Sequence, residues 1–335
     1  MSTNLPEFIT YFLDPGHFDH AVDRVELVQT HISYVLLAGD FVYKFKKPVN
    51  FGFLDFTTLE KRRHYCGQEL VLNRRLCPDI YLDVFALCRD GAGFRFNGAG
   101  EVVEYGVRMK MMDRERMMGR VIERGELVES HLADIVATLV PFYEKAAGGA
   151  ELAKFGTPQA VSVNVLENFD QTRDFVGKGA LSQRQYDAIG SYARAFLTND
   201  SLFLERCLDG RVRDCHGDLY SANICLDGTV HIFDCIEFNE RFRYCDVASD
   251  VAFLAMDLDF HGLGSLGDFF IRRFTEASND AGLPAMLNFY KCYRAYVRGK
   301  IGLFTAHAPE VDEAARRKAM AQAEKYFLLA ERYAG

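Results

Sequence analysis

Near Met112 the apolar residues of the chain change their period, and that change restricts the folds open to it. Before it, Arg24–Gln29, Ile32–Leu37 and Phe41–Lys46 are short runs rich in β-branched and aromatic residues, separated by Thr30-His31 and by Ala38-Gly39-Asp40. Such runs read as three antiparallel strands joined by tight turns. A helix follows: Thr57-x-x-Glu60 has the form of a capping box, and Leu59, Cys66, Leu70 and Cys77 recur at helical spacing until Pro78 stops the run. Ile80–Cys88, Phe94–Phe96 and Val102–Met109 read as further strands, with Asp90-Gly91 as a turn. Beyond Met112 the pattern is helical, over 127–147, 161–175, 184–207, 247–260, 284–306 and 311–334. One stretch breaks it: Asn223–Leu226 and Val230–Phe233 flank Asp227-Gly228, a hairpin signal. The expected class is α+β, with an antiparallel sheet and one helix over residues 1–110 and a mainly helical part with a single hairpin over 111–335.

The 335 residues exceed what one compact core usually holds, which fits two parts in one chain. With 49% apolar residues and only 8 Pro and 27 Gly, the chain can bury cores and is neither fibrous nor mainly disordered. A formal charge of −8 repels a phosphate backbone, so nucleic acid is not an expected partner, though a local basic site remains open to a nucleotide. Met1–Phe12 has no basic leader pattern, and no window approaches the roughly 18 apolar residues that span a bilayer, so a soluble cytoplasmic protein without a membrane partner is expected. The nine cysteines include no C-x-x-C pair and are expected as reduced thiols in cores. The ten-residue recurrence of Cys215, Cys225, Cys235 and Cys245 matches no tetrahedral metal geometry.

The most informative stretch is HGDLYSAN, His216 to Asn223, followed by Asp234 in IFDCIEF. Its His-x-Asp-x-x-x-x-Asn spacing matches the kinase catalytic loop, and the later Asp follows an apolar strand, as does the metal-binding Asp of D-F-G. Phosphoryl transfer needs a carboxylate beside the acceptor hydroxyl and oxygen ligands that hold Mg²⁺ against nucleotide phosphates. Asp218, Asn223 and Asp234 supply those groups.

Gly217 stands where protein kinases have Arg, and Cys235-Ile236 stands in place of Phe-Gly. With H-G-D-x-x-x-x-N and an apolar-Asp strand, the chain resembles the aminoglycoside phosphotransferase family. The resemblance spans nearly the whole chain in element order, and only the catalytic segment is specific in sequence. It implies a two-lobed protein-kinase-like fold, with a nucleotide-binding first lobe and a catalytic, acceptor-binding second lobe. It implies transfer of the γ-phosphoryl of ATP or GTP, with Mg²⁺, to a hydroxyl of a small molecule. Asp218, with His216, would be catalytic, and Asn223 and Asp234 would hold the metal. A strand-three lysine would clamp the phosphates, oriented by a glutamate on the next helix. Lys44 and Lys46 share one face of the strand, and the expectation falls on Lys44, because Lys46 and Lys47 run into Pro48 and read as solvated. Glu69, in the register of Leu70, is the expected partner. The family likeness also puts an adenine-binding hinge at Met109-Lys-Met-Met112, with Met109 and Met111 as its contacts. No Gly-rich loop precedes the second strand; Thr30-His31 with Ser33 occupies its place and could donate to phosphate.

Two cues on the acceptor conflict. Asp257, Asp259, Asp268 and Glu276 suit a cationic acceptor, whereas Arg294 and Arg298, one helical turn apart, suit an anionic one. Asp246 and Asp250 at the start of a helix read as structural, the family likeness implying that one braces the catalytic loop. Gly262-x-Gly264-x-x-Gly267 mimics the dinucleotide fingerprint but follows a helix, and no P-loop motif occurs. The family includes longer members with a second ATP-binding domain, which this sequence is not expected to carry. The alternative function is a nucleotide-binding regulator or pseudokinase, favoured by the missing Gly-rich loop and opposed by the intact polar groups.

Overall fold

The computed structural model describes residues 5–308 and 311–335; residues 1–4 of the opening segment lie outside them. The fold is α+β. Six strands, β1 (Val25–Gln29), β2 (Ser33–Ala38), β3 (Phe41–Lys46), β4 (Tyr81–Asp90), β5 (Gly93–Phe96) and β6 (Val102–Lys110), form one sheet in the order β1-β2-β3-β6-β4-β5. Every pairing in it is antiparallel. Two small antiparallel pairs complete the strands: β7 (Val212–Asp214) with β10 (Tyr244–Asp246), and β8 (Ile224–Asp227) with β9 (Thr229–Ile232).

The chain divides into two compact units, 1–117 with 225–240, and 118–224 with 241–335. In the first unit the period of two along β3 decides which side chains go where. Tyr43 and Phe45 join Ile9 and Phe12, at and just after α1 (Glu7–Tyr11), in an aromatic core with Phe85 and Phe94. The opposite face lies against α2 (Leu59–Asn73), whose Cys66 packs with Ile80, Tyr81, Val107 and Met109. Helix α2 is capped one residue later than the motif suggests. Thr58 Oγ1 accepts from Lys61 N–H (3.3 Å), while the Thr57 hydroxyl and N–H both bond to Asp55. The segment 225–240, placed by sequence order in the helical part, packs in the first unit because its backbone is tied to the end of α2. Cys77 Sγ donates to Ile232 O, and Cys235 N–H donates to Asn73 Oδ1 (2.9 Å).

The second unit is built from α3 (Met118–Glu123), α4 (Glu129–Lys145), α5 (Ala150–Ala153), α6 (Pro158–Thr172), α7 (Gln183–Phe196), α8 (Asp200–Leu208), α10 (Val247–Phe260), α11 (Gly264–Ala277), α12 (Leu283–His307) and α13 (Glu313–Ala334), with the short α9 (Glu240–Arg243) at its border. The expected single helix over 184–207 is two. Thr198 Oγ1 and Asn199 Nδ2 bond back to the carbonyls of Ala195 and Phe196 (2.8 Å each) and end α7 there. Helix α11 was not anticipated; the G-x-G-x-x-G string opens it, and no βαβ unit surrounds it.

Helix α10 is buried almost throughout. Asp246 caps it by accepting from Ala248 N–H (2.9 Å) and pairs with the buried Arg206 (2.6 Å). Close approach of α12 to α13 depends on Gly299, where a Cβ would stand 2.8 Å from the Phe327 ring. None of the nine cysteines is disulfide-bonded, and among the described residues no His/Cys/Asp/Glu cluster able to hold a metal ion forms. No helix among them is long and apolar enough to cross a membrane.

Candidate functional site

In the first unit, the face of β3 turned to α2 carries an ion network. Lys44 Nζ lies 2.8 Å from Glu69 Oε1 and 2.5 Å from Asp234 Oδ1. Lys46 Nζ lies 2.8 Å from Glu69 Oε2 and also pairs with Glu237. Each oxygen of Glu69 therefore meets a different lysine. Burial works against the charge on Lys44, but Asp234 and Glu69 outweigh it and hold its pKa well above the ordinary value. For Glu69, burial is likewise opposed by Lys44 and Lys46, which bring the carboxyl down to about 2. Glu237 shares only Lys46 at close range, and burial raises its pKa. Lys46 was expected in solvent; it is 2% exposed, because alternation along β3 points it to the same side as Lys44 and two carboxylates meet it there.

Asp234 adopts a left-handed backbone, φ +62°. Such a conformation costs energy for a residue with a Cβ and persists where its surroundings fix it. Here Asp234 N–H donates to the buried Tyr81 hydroxyl (3.3 Å), the next N–H is held by Asn73, and the carboxylate meets Lys44. Asn73 Nδ2 in turn donates to Glu69 O (2.9 Å), linking the Asp234 segment to the glutamate.

In the second unit, residues 216–223 form a loop whose backbone is pinned. Buried Asp250, one turn into α10, accepts from His216 N–H (2.8 Å), Gly217 N–H (2.9 Å) and the Tyr143 hydroxyl (2.9 Å). Gly217 has φ +87°, a left-handed turn that an arginine there would enter only under strain. Arg294 Nη1 donates to Gly217 O (3.0 Å) and Nε to Ser249 O (3.3 Å). Asp257 Oδ2 accepts from Ser221 N–H (3.0 Å). Within the loop, Asn223 Nδ2 donates to Asp218 O (2.9 Å) and Oδ2 (3.0 Å), and Asp218 N–H donates to His216 Nδ1 (3.3 Å). The loop thus presents a carboxylate and, on Asn223, an amide oxygen at fixed backbone positions.

No family model matches the chain. Uncharacterized proteins of Mycobacterium bovis and of two Mycobacterium tuberculosis strains are each 34% identical to it over 281 residues, 83% of this chain and 54% of theirs. The chain spans about half the length of the curated relatives it matches. Among solved structures, a choline/ethanolamine kinase family protein from Mesorhizobium loti matches with a TM-score of 0.49 and 11% identity, over 92% of each chain. An ethanolamine kinase of Plasmodium vivax gives a TM-score of 0.49 and 11% identity over 91% of this chain and 81% of that one. An amicoumacin kinase, solved in complex with AMP-PNP, Ca²⁺ and Ami, gives 0.49 and 13% over 90% and 87%.

The structure brings Lys44, Glu69 and Asp234 together in one unit and His216, Asp218 and Asn223 in the other. Ser33 is buried at the start of β2, and its hydroxyl has no hydrogen-bond partner among the described residues. Met109 lies in the core beneath α2, and Met111 N–H donates to Asp40 O (2.8 Å), so that donor is already engaged within the unit. Arg294, read as a candidate anion receptor, bonds the carbonyls of Gly217 and Ser249 and so braces the 216–223 loop. Asp257 and Asp259 form no acidic wall: Asp257 holds Ser221, and Asp259 holds Lys291 (2.7 Å) and the Tyr333 hydroxyl (2.5 Å). Glu237, Tyr81 and Asn73 were not anticipated. The one sequence signal for Glu237 was its place three residues after Asp234 in a mostly apolar run.

Proposed function

We propose that the chain is a phosphotransferase of the aminoglycoside-phosphotransferase type, moving the γ-phosphoryl of ATP or GTP to a hydroxyl of a small molecule. The observation that carries this reading is the Asp218–Asn223 pair, 3.0 Å apart on a loop whose backbone is fixed by Asp250. Asp218 accepts the proton of the acceptor hydroxyl as the new O–P bond forms; the bond from the γ-phosphorus to the bridging oxygen breaks, and ADP or GDP leaves. His216, through Nδ1, holds the Asp218 backbone N–H and acts on position. Lys44 clamps the nucleotide phosphates, with Glu69 setting its direction, and the unpartnered Ser33 hydroxyl is available to a phosphate oxygen. The strand end at Met109 and Met111 is the proposed border of the adenine, through groups other than the Met111 N–H, which Asp40 already holds.

Asn223 and Asp234 are the proposed Mg²⁺ ligands. Their donor set, one amide oxygen and one carboxylate, fits a hard cation that takes its remaining ligands from water and substrate phosphates rather than from a closed protein cage. Bound there, the ion would neutralise phosphate charge. The net charge of −8 favours a small acceptor over nucleic acid, and a cytoplasmic setting matches the thiols and the nucleotide donor.

The test is ADP formation from ATP and Mg²⁺, with and without pooled hydroxyl compounds, for the wild type and Lys44→Met. Turnover that falls about 10²-fold or more in the variant supports the reading. Tight nucleotide binding with no turnover under any condition would favour the regulator instead.

A further inference from the structure

Buried cations of the second unit are matched by fixed oxygens. Arg206 meets Asp246 and Asp280, Arg243 meets Asp214, Arg294 meets two carbonyls and Lys291 meets Asp259. Arg298 differs in its partner: among the described residues its side chain bonds only the neutral hydroxyl of Tyr326. It lies on α12 one turn beyond Arg294, with its guanidinium 4.6 Å from the ring centre of Tyr220 and 5.7 Å from that of Tyr326. Its Nε is buried without a hydrogen-bond partner, and the ion pairs of the neighbouring helix cations among the described residues, Lys291 with Asp259 and Arg317 with Glu313, do not include it. Arg108 and Arg211 also bury an unpartnered Nε, but Arg108 Nη2 is anchored on Asp83 (2.6 Å) and Arg211 Nη2 on Asn279 O (2.7 Å). Desolvating a guanidinium is costly, and two aromatic faces compensate only in part.

The surroundings of Arg298 are those of the catalytic loop. Tyr220, two residues after Asp218, stacks on Phe253 of α10 with centroids 5.4 Å apart and planes 11° apart, which fixes the ring under the guanidinium. The Asp218 charge is felt at both Arg298 and Tyr326. The neighbouring carboxylates, Asp250 and Asp257, already accept from loop N–H groups. A cation therefore stands over the ring of Tyr220, two residues after the proposed base, held between tyrosines and without a carboxylate of its own.

We propose that Arg298 is the anion-binding residue of the acceptor site, receiving a phosphate or carboxylate group of the molecule whose hydroxyl meets Asp218. This rests on the phosphotransfer reading and sharpens it: the acceptor is a hydroxy acid or a phosphorylated alcohol, not an amine. The planar fork of arginine offers two parallel hydrogen bonds to such a group, and its charge offsets the repulsion an anionic acceptor would feel from Asp218.

The test uses the full chain and inorganic phosphate as probe, with binding followed by calorimetry at saturating Mg²⁺ and AMP-PNP. The wild type is expected to bind phosphate saturably, and Arg298→Met and Arg298→Gln to bind it at least about tenfold more weakly. Either variant suffices if the other does not fold, as judged by circular dichroism. Ethanolamine in place of phosphate is expected to show no binding. Absence of phosphate binding in the wild type, equal binding in the variants, or binding of ethanolamine alone would overturn the proposal. Phosphate binding that is present without AMP-PNP but absent when it is saturating would also overturn it, assigning Arg298 to the nucleotide's own phosphate. These outcomes are read without catalysis, so a failure of the phosphotransfer reading itself would appear separately, in the turnover of Asp218→Asn.

Discussion

Glu69 Oε2 lies 2.8 Å from Lys46 Nζ, and both side chains are almost wholly removed from water, at 0% and 1% exposure. The glutamate paired with Lys44 thus has a second cation of its own, which would remain if Lys44 took up its proposed role on a phosphate. Through Glu237 the same ammonium ties β3 to the segment that carries Asp234.

Lys46→Met should therefore be far more damaging than an exposed lysine substitution. It leaves Glu69 short of one partner and Glu237 without its near cation, both in a buried setting. Breaking a buried ion pair from one side costs about 3–5 kcal/mol. Urea unfolding should show a loss of that size; a change within ~0.5 kcal/mol, typical of a surface site, would contradict the burial argument.

Acid should act through Glu69. Its folded-state carboxyl sits at about 2 because Lys44 and Lys46 outweigh burial, against an ordinary value of 4.5. A carboxyl lowered on folding contributes stability that is present above its unfolded pKa and lost as pH falls through the folded one. The stability advantage of wild type over Glu69→Gln should hold above about pH 5 and shrink between about pH 4.5 and 2. A constant difference across that range would refute the assignment.

Asp250→Ala removes the acceptor of two backbone N–H groups and one tyrosine hydroxyl in a fully buried position. A stability loss on the order of 3 kcal/mol is expected from the stranded donors. Turnover should fall at least about tenfold as the loop loses its position, with nucleotide affinity little changed. Melting curves and nucleotide titration on the same variant separate the two effects. Wild-type turnover would show that the loop needs no brace.

Much of this was legible because the information is local. HGDLYSAN carries its acid, its amide and its left-handed glycine within eight consecutive residues, and β3 announces two lysines on one face by alternation alone. Whether Lys46 faces water was not legible: it is decided by Glu237, 191 positions away in sequence. The role of Arg294 was hidden for the same reason, since its partners are carbonyls of Gly217 and Ser249, which no side-chain pattern records. The cap of α2 was missed by one residue because Thr57 and Thr58 offer the same hydroxyl, and Asp55 claims the first. The break before α8 turned on Thr198 and Asn199 bonding back to the last carbonyls of α7 rather than pointing outward.

The most direct measurement is the turnover of Asp218→Asn with MgATP, set beside its nucleotide affinity. Asparagine keeps the shape but cannot take the acceptor's proton. ADP formation should fall by about 10²–10⁴-fold while the Kd for nucleotide stays within about threefold of wild type. Turnover equal to wild type in a folded variant would contradict the assignment of Asp218, and with it the phosphotransfer account.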